Sequence, residues 1–169
     1  MRISFAHLVY YLLVFILQVL LSNLIDTGVW VTITLLPLIV IGFPAGWDLR
    51  ITMPMGFVLG LAADLATGGV PGIGAAACVV LCALRDPLYR SIVSPDGQNP
   101  AWTPSVRSLG IWTYLKYALA VYALYLLVFV ILDGFTLTPV LFILARTALS
   151  TLVGVALAAI LSLFIPERN

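Results

Sequence analysis

The residues that could do chemistry in this chain are few: one His, two Cys, seven acidic and eight basic residues among 169. His7 stands near the inner end of an apolar segment with no second ligand or carboxylate at useful spacing, so a surface or packing role is expected in preference to metal binding. Cys78 and Cys82 are four apart in an apolar stretch. On a helix they share a face, but a disulfide between them would break the helix, and both read as small apolar packing residues. No nucleophile, base and orienting group can be assembled from this set. There is no phosphate-binding loop, dinucleotide-binding turn or metal-ligand cluster. No catalytic residue, cofactor or metal site is expected, and the chain does not read as an enzyme.

Two charges remain conspicuous. "GFVLGLAADLATGGVPGIGAAACVVL", Gly56 to Leu81, is almost wholly apolar yet carries Asp64, and a later apolar segment carries Arg146. An unpaired carboxylate in hydrocarbon costs several kcal/mol, so Asp64 needs a partner. Counted along helices at about 1.5 Å per residue, Asp64 and Arg146 both fall roughly 10 Å from the outer edge of the membrane. The matched depth suggests an Asp64 to Arg146 pair. Gly56, Gly60 and Asp64 are four apart and share one helix face, on which small residues let another helix approach closely. The run Ala75, Ala76, Ala77 gives the following segment a similar surface, so a tight helix pair is expected there.

The elements that must position these residues are membrane spans. The chain is 63% hydrophobic and 9% charged, with a mean hydropathy of +1.17, far from the composition of a soluble domain. A net charge of +1 without a basic cluster offers no footprint for nucleic acid. The reading is a single integral membrane domain, residues 1–169: an all-α, polytopic transmembrane helical bundle of about six spans. They are expected at Phe5 to Leu24, Val29 to Phe43, Ile51 to Leu65, Val70 to Leu84, Leu109 to Leu132 and Leu137 to Ile165. The first resembles a signal peptide behind Arg2 but lacks a small-residue cleavage site and reads as a retained span. The second to fourth are short, so they must extend into their flanks, thin the bilayer or break before crossing. A re-entrant hairpin through Gly68 to Gly72 is an alternative for the third and fourth.

With both termini cytoplasmic, Arg2, Arg50, Arg85, Arg90, Arg107 and Arg168 all fall inside, while the outer loops hold Asp26 and Asp133. The long segment Arg85 to Ser108, with four prolines, is expected along the cytoplasmic surface. Trp30, Trp47, Trp102 and Trp112 read as interfacial anchors. Lys116 is near enough to the inner face to snorkel. Tyr114, Tyr117, Tyr122 and Tyr125 give the fifth span an aromatic surface for a partner helix or for packing.

The order Gly56, then Leu59 to Leu61, Asp64, Leu65 and a glycine-rich turn with Gly72 and Gly74 before a small-residue helix resembles the MreD family of bacterial rod shape-determining membrane proteins. That resemblance implies a non-enzymatic scaffold of the cell-elongation machinery in the cytoplasmic (inner) membrane. Its expected partners are an MreC-like single-span protein and, indirectly, MreB filaments and a RodA-type polymerase with its class B penicillin-binding protein. It also implies a fold resembling the substrate-binding subunit of energy-coupling-factor transporters. Gly56, Gly60, Asp64, Gly72 and Gly74 are the matching positions, expected to form a structural core that shapes a docking face. The long proline-rich loop departs from the shorter loops expected in the family.

The alternative is that the chain is itself such a transporter subunit, with Asp64 and Arg146 around a polar solute. Those subunits usually carry an Ala-xxx-Ala docking surface on the first span. Here that span reads "FAHLVYYLLVFILQVLLSNL", bulky throughout.

Overall fold

A computed structural model of the chain describes residues 5–24, 31–43, 47–93, 104–134 and 139–164. Among them every regular element is helical: α1 (Phe5–Leu24), α2 (Leu36–Ile41), α3 (Leu49–Thr67), α4 (Ile73–Ile92), α5 (Val106–Leu109), α6 (Ile111–Asp133) and α7 (Val140–Ser162). Four of these, α1 from His7 onward, α3, α6 and α7, are long and apolar enough to cross a membrane. The chain is therefore a membrane protein. Of the six expected segments two fall short of that description: α4 is as long as α3 but carries Arg85, Asp86 and Arg90 in its second half, and the second segment is not one helix.

That second segment departs furthest from the sequence reading. Residues 31–35 are not helical, and only Leu36–Ile41 close a short helix, with Pro37 at its start. The rest of the expected span, Val29 and Trp30, lies outside the described residues. Leu35 to Ile41 are buried, their aliphatic side chains at most 3% exposed. A helix advances about 1.5 Å per residue and non-helical chain up to about 3.3 Å, so the irregular start lets few residues reach further. Irregular backbone of this kind persists in a membrane protein when other protein covers it.

The covering helices also satisfy its polar groups. Gln18 on α1 accepts the Leu35 N–H through Oε1, and the Tyr11 hydroxyl donates to the Gly42 carbonyl at 3.1 Å. At the opposite end the buried Arg85 guanidinium donates to the Phe43 carbonyl at 3.0 Å and the Val40 carbonyl at 3.5 Å, while it pairs with Asp86 at 3.0 Å. A cation is favourable there because the last carbonyls of a helix lack partners and carry its negative pole.

The third and fourth segments extend into their flanks. At 19 and 20 residues, α3 and α4 are about 28 and 30 Å long, near the thickness of a hydrocarbon core. They run antiparallel, Gly56 lying against Cys78 and Cys82 and Gly60 against Gly74 and Ala75. Arg85 to Ile92 belong to α4, so the expected surface loop starts later than the sequence suggests, with Arg85 and Tyr89 buried. Further along, α3 packs on α1, α4 on α6 and α6 on α7, with α2 touching α1, α3, α4 and α6. The Tyr10 hydroxyl donates to the Leu161 carbonyl at 2.7 Å and so joins α1 to α7.

The tyrosines of α6 face inward. Tyr114, Tyr117, Tyr122 and Tyr125 are at most 1% exposed, so they are core residues and do not form a partner-facing surface. Gly154 makes room for Tyr122, since a Cβ there would stand 2.5 Å from the ring. Trp112 is exposed, in keeping with an interfacial anchor.

Candidate functional site

The site centres on the turn between α3 and α4. Gly68 ends α3 at φ 67° and Gly72 precedes α4 at φ 104°, left-handed conformations that side chains rarely adopt. Glycine at the N-cap of α4 supplies no side-chain acceptor, yet the first amides of a helix need one. Asp64, one turn before the end of α3, provides it. Its Oδ2 accepts from the N–H groups of Gly72 at 2.9 Å, Gly74 at 3.0 Å and Ala75 at 3.3 Å, and Oδ1 shares the Gly74 N–H at 3.2 Å. The carboxylate caps α4 from the neighbouring helix, and its charge meets the positive pole of the helix dipole.

The glycines of the motif allow this contact. A Cβ on Gly60 would stand 2.5 Å from Ala75 Cα, and one on Gly74 would collide with Asp64 Oδ1. A Cβ on Gly56 would stand 2.5 Å from Cys82 Sγ. Gly56, Gly60, Asp64, Gly72 and Gly74 thus form one latch that closes the hairpin. Cys78 and Cys82 are buried free thiols in its interface, in the packing role expected of them.

Arg146 belongs elsewhere, and the expected pair with Asp64 is not formed. Arg146 Nη1 donates to Asp133 Oδ2 at 2.9 Å, and Nη2 and Nε donate to Thr32 Oγ1 at 3.0 and 3.3 Å. Equal depth placed the two charges at one level but carried no information on their direction around the bundle. The Arg146 cluster fastens the irregular segment to α6 and α7, helped by the Thr32 N–H, which donates to Ser150 Oγ at 2.8 Å.

Between the latch and this cluster lies a cavity of about 130 Å³. Its polar wall includes Gln18, Ser22, Thr32, Thr34, Asp64 and Asp133, brought together from α1, the 31–35 segment, α3 and α6. Gln18, Thr34 and Asp64 are buried. Tyr125 and Phe129, stacked with ring centres 6.0 Å apart, also line it.

No family model, curated protein or solved structure matches the chain.

Among the described residues no three His, Cys, Asp or Glu side chains gather as metal ligands. His7 is buried and its Nδ1 has no hydrogen-bond partner. Sequence reasoning found Asp64 and all the latch glycines but missed Gln18, Thr32, Thr34 and Asp133. Gln18 did carry a signal, as a lone amide in an otherwise apolar part of α1. Asp133 was read only as a loop charge.

Proposed function

We propose that the chain is a non-enzymatic, multi-pass scaffold in the bacterial cytoplasmic membrane, a subunit of the cell-elongation machinery that docks an MreC-like single-span protein. Through that partner it would connect to MreB filaments and to the RodA-type polymerase with its class B penicillin-binding protein. The observation that supports this reading is the use made of Asp64. The carboxylate accepts from three backbone amides and so holds two helices together. The motif that carries the resemblance to the MreD family is a packing device, which suits a rigid docking platform. Lipid gives helices no hydrophobic reason to associate, so such a platform needs close-packed small residues and satisfied polar groups of this kind.

The test is affinity isolation of the tagged protein from native membranes in mild detergent, with mass spectrometry of what remains bound. Recovery of an MreC-like protein with glycan polymerase and transpeptidase subunits is the expected result. The cavity favours a second reading, in which the chain is the substrate-binding subunit of an energy-coupling-factor transporter. Recovery of paired ATPases with a transport-module subunit would replace the scaffold with that reading.

A further inference from the structure

The cavity has a chemical bias that the scaffold reading does not use. Among the described residues its lining carries two carboxylates, Asp64 and Asp133, and no Lys, Arg or His, while Arg146 stands behind the wall on Asp133 Oδ2 and Thr32 Oγ1. Several donors on the wall are already engaged within the protein. Gln18 Nε2 donates to Ser22 Oγ at 3.0 Å, and the Thr67 hydroxyl donates to the Ala63 carbonyl at 2.9 Å. Acceptor capacity remains. Asp64 Oδ1 takes part in one shared bond, while Arg146 engages only Oδ2 of Asp133. Spare lone pairs on two carboxylates, Asp64 Oδ1 and Asp133 Oδ1, favour an occupant that donates hydrogen bonds, and a charged donor most of all. The remaining wall is apolar, with Ile33, Leu36, Val70, Ile73 and Phe129. The volume of about 130 Å³ is close to the roughly 150 Å³ of a cavity that holds benzene, room for about half a dozen heavy atoms.

We propose that this cavity binds a protonated primary amine on a short apolar stem, an aminoethyl group, with the ammonium toward Asp64 and Asp133 and the stem against the apolar wall. A metal ion suits the site less well, because Oδ2 of Asp64 is already crowded by amides and the remaining acceptors are spread over separate elements. Both a free amine and the headgroup of an aminoethyl phospholipid offer this chemistry. The cavity lies at the end of the bundle formed by the C-terminal parts of α1, α3 and α6 and the start of α4. Headgroups would stand at that level if these helices span the bilayer. The site does not depend on which assembly the chain joins.

The experiment is thermal unfolding of the purified full chain in phosphatidylcholine nanodiscs, titrated with ethanolammonium chloride. Choline chloride keeps the charge and stem but lacks N–H donors. Ethylene glycol keeps the stem and lacks the charge, and sodium and magnesium chloride control for ionic strength and metal binding. Ethanolammonium alone is expected to raise the midpoint, by about 3–6 °C at ten times its dissociation constant and in proportion to the logarithm of its concentration above that. Ala63→Leu, which fills the cavity, is expected to reduce that rise, as is Val70→Trp at an exposed turn position. The wild-type titration stands even if a variant fails to fold.

In discs that also contain phosphatidylethanolamine, disappearance of the rise together with a higher starting midpoint identifies the lipid headgroup as the source. Persistence of the rise identifies a free amine. Equal effects of ethanolammonium and choline, a larger effect of a metal chloride, or no effect of ethanolammonium beyond that of sodium chloride would overturn the proposal. None of these outcomes bears on affinity isolation, so the two readings fail independently.

Discussion

Asp64 does at long range what a serine or aspartate at an N-cap ordinarily does locally. Replacing it with Ala leaves several buried amides without an acceptor, and each such group costs about 1–3 kcal/mol. Asp64→Asn keeps an acceptor oxygen and loses the charge. It is therefore expected to destabilise less than Asp64→Ala in thermal unfolding of the purified protein, and equal losses would mean that the cap contributes little. The glycines separate in the same assay. Gly60→Ala drives a Cβ into the backbone of α4, whereas Gly68→Ala meets open space and strains only its own φ, at about 1 kcal/mol. The partnership of Arg146 is tested by double-mutant cycles. Arg146→Met should couple to Asp133→Asn by about 0.5–1 kcal/mol and be additive with Asp64→Asn within about 0.5 kcal/mol.

At the scale of elements, the α3 and α4 hairpin and the buried α2 make opposite demands on the sequence. The hairpin was legible because small residues four apart and a lone carboxylate constrain geometry strongly, and the tight pair appears where it was expected. How Asp64 is satisfied was not legible, since its partners are backbone amides beyond a turn and amides have no sequence signature. The second segment was misread because hydropathy reports burial and not conformation. Leu36 to Ile41 is as apolar as any span, yet it forms less than two turns of helix. Tyr114 to Tyr125 were ambiguous because α6 is apolar on every side, which leaves no moment to orient it.

Cys78 and Cys82 should resist maleimide in the folded protein and become reactive in Gly60→Leu, because that side chain forces the hairpin apart. Arg85→Met should cost about 2–3 kcal/mol in thermal unfolding, since charged hydrogen bonds to the Phe43 and Val40 carbonyls are lost. Arg85→Lys should recover part of the loss. A neutral result for Arg85→Met would remove it as the clamp on α2.

For the whole molecule, the helix directions set which charges share an end. Arg50 opens α3, Arg90 closes α4 and Arg107 lies just before α6, all at one end together with Asp48 and Asp86, while Asp64 and Asp133 lie at the other, where Arg146 pairs with Asp133. The loop-charge argument predicts two labelled faces. Single cysteines at Val70 and Gly134, in a background lacking Cys78 and Cys82, should react with an impermeant thiol reagent from outside intact cells. Cysteines at Ser91 and Ser108 should react only after the membrane is opened. Labelling of both sets from one side would discard the bundle's expected orientation. The buried α2 also constrains how the protein is made. Residues 31–43 depend on α4 and α6 for cover, and α6 ends at Asp133, 90 residues after Phe43. At the usual pace of synthesis that is a delay on the order of ten seconds. During this interval the segment must be sheltered by the insertion machinery or adopt a temporary helix, and its final shape is set only after most of the chain has been translated.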